Sequence, residues 1–190
     1  MLAYLFWHRS YPHVDKATYE KSLIAFHDTL SRLAPPGLIA AGSFAIAAVP
    51  WLGQRSGYED WCLIEGSWAL DPLNAWAVTG PPQSPHDSVA ALMEEGHGGL
   101  YRLAWGEPAL PSDSTITWLT RPRGIQWHPA LEPIRGAVPN AQAWRRQMVL
   151  GPSPEFAIVT PGEQAVPIPD GWQARVVKRA RLGTTQPRRG

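Results

Sequence analysis

Cysteine is almost absent from this chain of 190 residues, in which Cys62 is the single example. One cysteine excludes an intrachain disulfide, and it also excludes a metal site built from several thiolates of one chain. Scarce cysteine is typical of proteins from reducing compartments. We therefore expect a cytoplasmic protein.

Long hydrophobic runs are also missing. The apolar run at residues 2–7 is too short for the core of a signal peptide, and no positively charged segment precedes it. No stretch approaches the roughly 20 apolar residues that a membrane-spanning helix needs. We therefore expect no membrane partner.

Neither sign of charge is in excess. The chain carries 17 Lys and Arg against 16 Asp and Glu, a formal net charge of +1. Nucleic-acid-binding domains normally carry a strong positive excess, so we expect no nucleic-acid partner. The hydrophobic content of 44% with only 17% charged residues also excludes a disordered chain.

Tryptophan, proline and glycine are abundant, with 10, 20 and 17 residues respectively. Tryptophan side chains can bury a large aromatic area, whereas proline and glycine interrupt regular structure. We therefore expect short helices, many connections, and either one compact domain or two small similar halves around one core.

The first half of the chain shows a β-α-β-β-α-β order. The strongest helix pattern covers residues 16–34, where Asp15 is the expected N-cap and apolar residues recur every three or four positions. A second helix is expected from Ser84 to a stop at Gly96. Strands are expected at residues 2–8, 38–49, 58–68 and 99–105. This order is the split βαβ, or ferredoxin-like, arrangement.

The second half follows a joint at residues 107–114. Strands are expected at residues 115–121, 142–150, 155–160 and 172–181, with a weak helix near 129–137. Residues 161–171, where a second helix would come, are rich in proline and glycine instead. The sequence thus predicts an α+β fold of two fused ferredoxin-like halves with a degraded second half. The expected boundaries are 1–108 and 114–182, followed by a flexible tail at 183–190.

No strong catalytic or metal-binding motif is present. The sequence contains no Gly-Lys-Ser/Thr phosphate loop, no G-x-G-x-x-G after a strand and no G-x-S-x-G elbow. Histidines and acidic residues stand at weak spacings for a metal, as at His8, His13 and Asp15. We therefore expect no metal site, and we look for chemistry in single polar residues on apolar elements.

Two histidines lie beside apolar surfaces. His27 borders the apolar stripe of the helix at 16–34, and His8 ends the first strand on the face of Tyr4 and Phe6. His27 is either a buried histidine that holds a backbone carbonyl or an acid/base and ligand-orienting group. His8 is either a surface residue at a strand end or part of a cleft. Imidazole is the side chain best suited to proton transfer near neutral pH.

One carboxylate, Glu65, is expected inside the apolar third strand, on the face of Trp61 and Leu63. A charge at such a position costs free energy unless it is paired or faces a polar cavity. Glu65 is therefore either the partner of Arg145 or Arg146, or a cleft carboxylate able to serve as a base.

The opening of the chain resembles one known family. A strand ends in basic residues, a helix follows with Tyr19 early and His27 late, and Pro36-Gly37-Leu38 leads into the second strand. This pattern resembles EthD-like members of the dimeric α/β-barrel superfamily, which typically carry that histidine and that Pro-Gly-Leu sequence. The resemblance implies two sheets packed into a barrel, by two chains or by two repeats in one chain. It implies no single reaction, because the superfamily includes cofactor-free oxygenases, cyclases, decarboxylases, isomerases and haem proteins.

The leading hypothesis is an enzyme that acts on a small apolar, aromatic compound without a metal or cofactor. Its expected catalytic groups are His27, His8 and Glu65. Its expected substrate-binding residues are Tyr4, Phe6 and Trp61, because small-molecule sites are mostly apolar and aromatic. The expected partners are the small molecule and, where a second chain completes the barrel, an identical subunit in a homodimer.

Two alternatives stay open at this point. The first is a haem-binding protein of the same superfamily, with His27, His97 or His128 as axial ligand. The second is a non-catalytic module for ligand binding or oligomerisation, whose tryptophans fill a core. The residues alone do not decide whether the protein is an enzyme.

Overall fold

The computed structural model describes residues 1–149 and 153–183, and these residues form eight strands and four α-helices. In chain order they are β1 (Leu2–Ser10), α1 (Lys16–Leu33), β2 (Leu38–Val49), β3 (Arg55–Ile64), α2 (Leu70–Thr79), α3 (Gln83–Ala90), β4 (Met93–Trp105), β5 (Asp113–Thr120), α4 (Trp127–Ala137), β6 (Gln142–Val149), β7 (Phe156–Pro161) and β8 (Gln173–Leu182). The α+β class is confirmed.

The eight strands form one closed antiparallel barrel in the order β1-β3-β2-β8-β5-β7-β6-β4. The pairings of β2 with β8 and of β4 with β6 join the first part of the chain to the second. Closing a sheet on itself leaves no unpaired strand edge. The sequence left open whether a second chain must complete the barrel, and in the structure this chain completes it alone.

Aromatic side chains fill the barrel interior. Because side chains alternate along a strand, one face of β1 points Ala3, Leu5 and Trp7 inward, and all three are fully buried. The Trp118 ring lies 5.5 Å from the Trp7 ring. Further interior residues are Phe44, Trp51, Trp61, Tyr101, Ile116, Trp144, Ala157 and Val159. Much of the tryptophan content therefore packs inside the barrel.

Helices cover the outside of the barrel. The first, α1, begins as expected at its N-cap, where an Asp15 carboxylate oxygen accepts the Thr18 backbone N–H at 2.9 Å. Its apolar stripe buries Tyr19, Leu23 and Leu30 against the sheet. On the other side of the barrel, α4 buries Leu131 and Ile134 against residues of β5, β6 and β7, namely Leu119, Ala143, Phe156 and Ile158.

The expectation of one helix from Ser84 to Gly96 is wrong. Two helices, α2 and α3, occupy this region, and β4 already begins at Met93. Gly96 lies within β4, paired with His8. A Cβ atom at Gly96 would clash with the Phe6 ring, so glycine here permits close packing and does not end a helix.

The third strand also ends earlier than expected. It stops at Ile64, and a short 3-10 turn at Ser67–Ala69 follows. The side chain of Trp68 in this turn packs over Gly37, where a Cβ atom would stand 2.8 Å from the indole. The chain therefore leaves the sheet after Ile64, although the sequence pattern predicts a strand as far as residue 68.

Residues beyond the barrel are described only in part. The expected tail at 183–190 lies outside the described residues except for Gly183, and so does the end of the expected strand 142–150. Within the part of the chain that the structure describes, no helix has the length and apolar character to cross a membrane.

Candidate functional site

A cavity of about 490 Å³ lies between the outer face of the barrel and helices α1, α2 and α3. Tyr4, Phe6 and His8 of β1 line it together, as their shared face predicts. Its walls are apolar side chains of the three helices, namely Leu23, Phe26, Leu30, Leu70, Leu73, Ala77, Val78, Val89 and Ala90. A concave, mostly apolar cavity of this volume suits a small organic molecule.

One carboxylate lies between two histidines at this cavity. Asp60 Oδ2 of β3 is 3.2 Å from His8 Nε2 of β1 and 3.1 Å from His27 Nε2 of α1. Phe6 of β1 pairs with Asp60 of β3, and this register places His8, two residues further along β1, beside Asp60. His27 lies among the buried residues of α1, which packs on the outer face of the sheet. All three residues line the cavity and are buried. We call them the His8–Asp60–His27 cluster.

The cluster keeps Asp60 ionised. Burial by itself raises the pKa of a carboxyl group, but the adjacent His27 and His8 rings outweigh burial and hold the pKa of Asp60 well below its usual range. A negative charge facing an apolar cavity is a functional-site signal when specific partners hold it there. The cluster can therefore accept, store and return a proton through an imidazole.

One neutral hydroxyl and one neutral thiol lie near the carboxylate, those of Tyr4 and Cys62. Burial raises the pKa of Tyr4 to about 12 and that of Cys62 to about 12, and the nearby negative Asp60 contributes to both shifts. Both side chains line the cavity. Tyr4 therefore keeps its phenolic proton near neutral pH, and Cys62 stays a thiol with little nucleophilic character.

The His8 ring is held from a second side. Its Nδ1 lies 2.6 Å from the Tyr19 hydroxyl, and its ring stacks on Tyr58 with 5.6 Å between centroids. The Tyr58 hydroxyl donates its hydrogen bond to Glu20 Oε1, at 3.3 Å, and not to a nitrogen of His8. His8 is thus a buried strand residue of the cavity and not a surface residue.

The polar residues at the cavity also define which charges it can receive. Asp71 and Asn74 of α2 and His86 of α3 complete the lining. Among the lining residues that the structure describes, none is lysine or arginine. An anionic substrate would therefore bring its charge close to Asp60 and Asp71 without a lysine or arginine in the described lining to compensate it.

A second buried carboxylate lies in the barrel interior. Glu59 Oε1 is 3.3 Å from Arg179 Nη1 of β8. The indole N–H groups of Trp7 and Trp61 donate to Glu59 at 2.8 and 2.6 Å. The Arg179 guanidinium also lies 3.9 Å from the centre of the Phe44 ring. This network fills the interior, on the opposite face of β3 from the cavity.

Two expected site residues lie elsewhere. Glu65 is exposed just beyond the end of β3, so the expectation that it is buried within an apolar strand is wrong. Its expected partner Arg146 instead donates to the Ser153 carbonyl oxygen at 2.6 Å. Trp61 is buried in the barrel interior and does not line the cavity. Both differences follow from where β3 ends and which of its faces points outward.

The three histidines considered as haem ligands lie in different places. Only His27 lines the cavity. His97 of β4 lies 6.1 Å from the Trp7 ring, and burial lowers its pKa. His128 is largely exposed on α4, where it lies 3.9 Å from Glu132. In the described part of the chain, no group of three or more His, Cys, Asp or Glu side chains is arranged to hold a metal ion.

Sequence reasoning missed the central residue of the site. Asp60 belongs to the face that alternates with Trp61 and Leu63, and its position next to Glu59 makes two consecutive acids inside an otherwise apolar strand. Acids in such a place need partners. That signal was available, although the partners come from β1, α1 and β8 and are distant in sequence.

The comparisons with known proteins agree with the barrel. No protein-family model matches the sequence, and no curated protein matches it. A solved structure of an anthrone oxidase-like protein matches with a TM-score of 0.54 and 10% identity, over 99% of this chain and 96% of the other. Another, described as a "putative monooxygenase" from Lactobacillus acidophilus NCFM, matches with a TM-score of 0.55 and 11% identity, over 96% and 94%. The chain therefore shares the α/β-barrel fold of these proteins.

Proposed function

We propose that the protein is a small-molecule enzyme that removes a proton from an apolar, aromatic compound. The observation that carries this proposal is the ionised Asp60 between His8 and His27 at an apolar cavity. An imidazole oriented by a carboxylate is a general base, and the carboxylate stabilises the imidazolium that forms.

The other lining residues support the same reaction. A carbon acid such as an aromatic ketone develops negative charge on oxygen when it loses a proton. The Tyr4 hydroxyl, which keeps its proton because the pKa of Tyr4 is raised to about 12, can donate to that oxygen. The absence of lysine and arginine from the described cavity lining favours a substrate that is neutral before it reacts.

We infer that molecular oxygen is the second substrate. The fold neighbours described as anthrone oxidase-like and as a monooxygenase support this inference by their names alone. In the balanced reaction a CH₂ group next to aromatic rings becomes a carbonyl. One oxygen atom of O₂ is retained in the product, and the other leaves as water with the two hydrogens. The histidine takes the first proton, and the resulting carbanion supplies electrons to O₂.

The test separates proton removal from oxygenation. Anthrone is a neutral tricyclic ketone with an acidic CH₂ group, and it serves as the probe. Without oxygen in D₂O, the enzyme should accelerate deuterium exchange at that CH₂ group, which mass spectrometry measures. In air, it should accelerate O₂ uptake and formation of the quinone. An absorption spectrum of the purified protein accompanies the test, because a Soret band would favour the haem alternative.

Two variants give the test its contrast. His27→Ala removes a cluster imidazole and should abolish the enzyme-dependent exchange, whereas His128→Ala alters an exposed histidine on the other side of the barrel and should leave it unchanged. Ligand binding by His27→Ala with exchange lost supports the base. Exchange at the wild-type rate in His27→Ala would refute it, and no acceleration by the wild type with any neutral aromatic carbon acid would refute the enzyme.

We also propose that the chain consists of two fused ferredoxin-like halves of the EthD-like type, residues 1–108 and 114–182, the second lacking one helix. The strand order supports this, because β4-β1-β3-β2 and β8-β5-β7-β6 are the same order in each half. Residues 1–106 expressed alone should be insoluble or oligomeric, because they would expose the apolar inner face of the sheet. A soluble monomeric fragment would contradict the shared core.

A homodimer of the full chain is a separate expectation. Sedimentation of the full chain tests it.

A further inference from the structure

We propose that Tyr19 is a positioning residue that fixes His8 as a hydrogen-bond donor to Asp60 and leaves His27 as the proton acceptor of the cluster. The role of His27 rests on the proposed function. The direction of the hydrogen bonds does not, because it can be measured without any substrate.

The Tyr19 hydroxyl is close enough to His8 to determine its tautomer. Tyr19 is fully buried on α1, and its hydroxyl lies 2.6 Å from His8 Nδ1. Burial raises the pKa of Tyr19 well above the usual phenol range, so the hydroxyl keeps its proton. A buried hydroxyl needs an acceptor for that proton. Within the described residues, His8 Nδ1 is the partner in reach, so Tyr19 donates to it.

This bond determines which His8 nitrogen carries the proton. In neutral imidazole one nitrogen is a donor and the other is an acceptor. Because Nδ1 accepts from Tyr19, the proton of His8 is on Nε2, which lies 3.2 Å from Asp60 Oδ2. An ionised carboxylate can only accept, and Asp60 is held ionised. Tyr19, His8 and Asp60 therefore form one chain of hydrogen bonds in a single direction.

His27 differs from His8 in one respect. Its Nε2 lies 3.1 Å from the same Asp60 oxygen and must likewise carry a proton. Its Nδ1, however, is buried and has no hydrogen-bond partner among the described residues. Each nitrogen of His8 faces a polar atom at 2.6 or 3.2 Å, whereas Nδ1 of His27 faces no hydrogen-bond partner among the described residues. The two histidines therefore have different roles, although their distances to Asp60 are nearly equal.

The test is the tautomer of each ring. Two-bond ¹⁵N–¹H correlation spectra of ¹⁵N-labelled protein in mildly alkaline buffer distinguish a protonated from an unprotonated ring nitrogen. In the wild type, both His8 and His27 should carry the proton on Nε2. In Tyr19→Phe, which keeps the ring and removes only the hydroxyl, a fraction of His8 should shift to the other tautomer or to imidazolium.

Tyr58→Phe is the matched control. The ring of Tyr58 lies 5.6 Å from that of His8, and the ring of Tyr19 lies 5.8 Å from it. The Tyr58 hydroxyl, however, bonds to Glu20, so its removal should leave the His8 tautomer unchanged. In deuterium exchange on anthrone, Tyr19→Phe should lower kcat several-fold at unchanged KM, and Tyr58→Phe should not. A general loss of packing would move both variants alike and would contradict the proposal.

The wild-type spectrum decides even if Tyr19→Phe does not fold. His8 with its proton on Nδ1, or His27 with its proton on Nδ1, would overturn the proposal regardless of activity. If both tautomers are as expected but the wild type exchanges no probe, the positioning of His8 by Tyr19 stands and the proposed function fails. If exchange occurs with the opposite tautomers, the proposed function stands and the role of Tyr19 fails.

Discussion

Glu59 and Asp60 are neighbours in β3, and both are buried, yet they face opposite sides of the barrel wall. Asp60 points outward to a cavity and lies between two histidines, which hold its pKa below the usual range. Glu59 points inward, and burial raises its pKa despite the nearby Arg179 and the two indole donors. One strand thus carries two carboxyl groups whose pKa values are shifted in opposite directions.

The two surroundings explain the difference. Aromatic side chains fill the barrel around Glu59. The ion pair with Arg179 therefore lies among apolar groups that solvate charge poorly. Burial also lowers the pKa of Arg179 to about 10. Asp60 instead has an imidazole on two sides and an open cavity beside it. A buried acid becomes a candidate for catalysis where space and a proton carrier adjoin it, and burial alone is insufficient.

The largest effect on stability is expected at the interior pair. Arg179→Met leaves Glu59 buried without its cation, which should lower the free energy of unfolding by about 3–5 kcal/mol. The double variant Glu59→Gln with Arg179→Met should recover part of this loss, because Gln needs no cation. Its one amide oxygen accepts from one of the two indoles, and its NH2 group faces the other. Urea unfolding measures both. Additive losses in the double variant would show that the pair is not coupled.

The largest effect on activity is expected at the other carboxylate. Asp60→Asn removes the charge that stabilises an imidazolium, so probe exchange should fall by about 10²-fold to 10⁴-fold. Glu59→Gln, one residue away, should keep the exchange rate of the folded protein, because Glu59 does not reach the cavity. Equal losses of probe exchange in the two variants would contradict different roles for the outer and inner faces of β3.

The pH dependence of stability should have opposite signs for the two acids. Because the pKa of Asp60 is lowered on folding, its stabilisation is present above the unfolded pKa of about 4 and is lost as pH falls below it. Because the pKa of Glu59 is raised, its contribution is fully present below about 4 and is lost as pH rises through the folded pKa. The urea midpoint of unfolding is measured against pH for both variants. Asp60→Asn should lack the loss of stability at falling pH, and Glu59→Gln should lack the loss of stability at rising pH. A variant that keeps the slope of the wild type would contradict the assignment.

The smallest effects are expected when one alanine is replaced by phenylalanine in the cavity and another in the barrel interior. Ala77→Phe places a ring in the cavity and should raise KM for the probe several-fold, with a change in unfolding free energy within about 0.5 kcal/mol. Ala3→Phe forces a ring into the filled interior and should cost about 1–3 kcal/mol. Calorimetry and steady-state rates compare them. An Ala3→Phe variant of full stability would show that the interior has room.

Local patterns predicted the elements that frame the site. The alternation in β1 placed Tyr4, Phe6 and His8 on one face, and the spacing in α1 placed His27 beside its apolar stripe. Local patterns failed between residues 64 and 96. There the end of β3, the division into α2 and α3 and the start of β4 depend on contacts such as Phe6 with Gly96 and Trp68 with Gly37. Such contacts join residues far apart in sequence, so no local pattern records them.

The sequence by itself determined that His8 and His27 belong to two apolar surfaces able to face each other, because alternation and helical periodicity are properties of short segments. Only the tertiary structure decided that Asp60, not Glu65, joins them, because the register of β1 on β3 and the position of α1 place that carboxylate between the two rings. It also decided that one chain closes the barrel, since closure depends on the distant pairings of β2 with β8 and β4 with β6. Residues remote in the chain meet through packing of the whole core, which no single segment encodes.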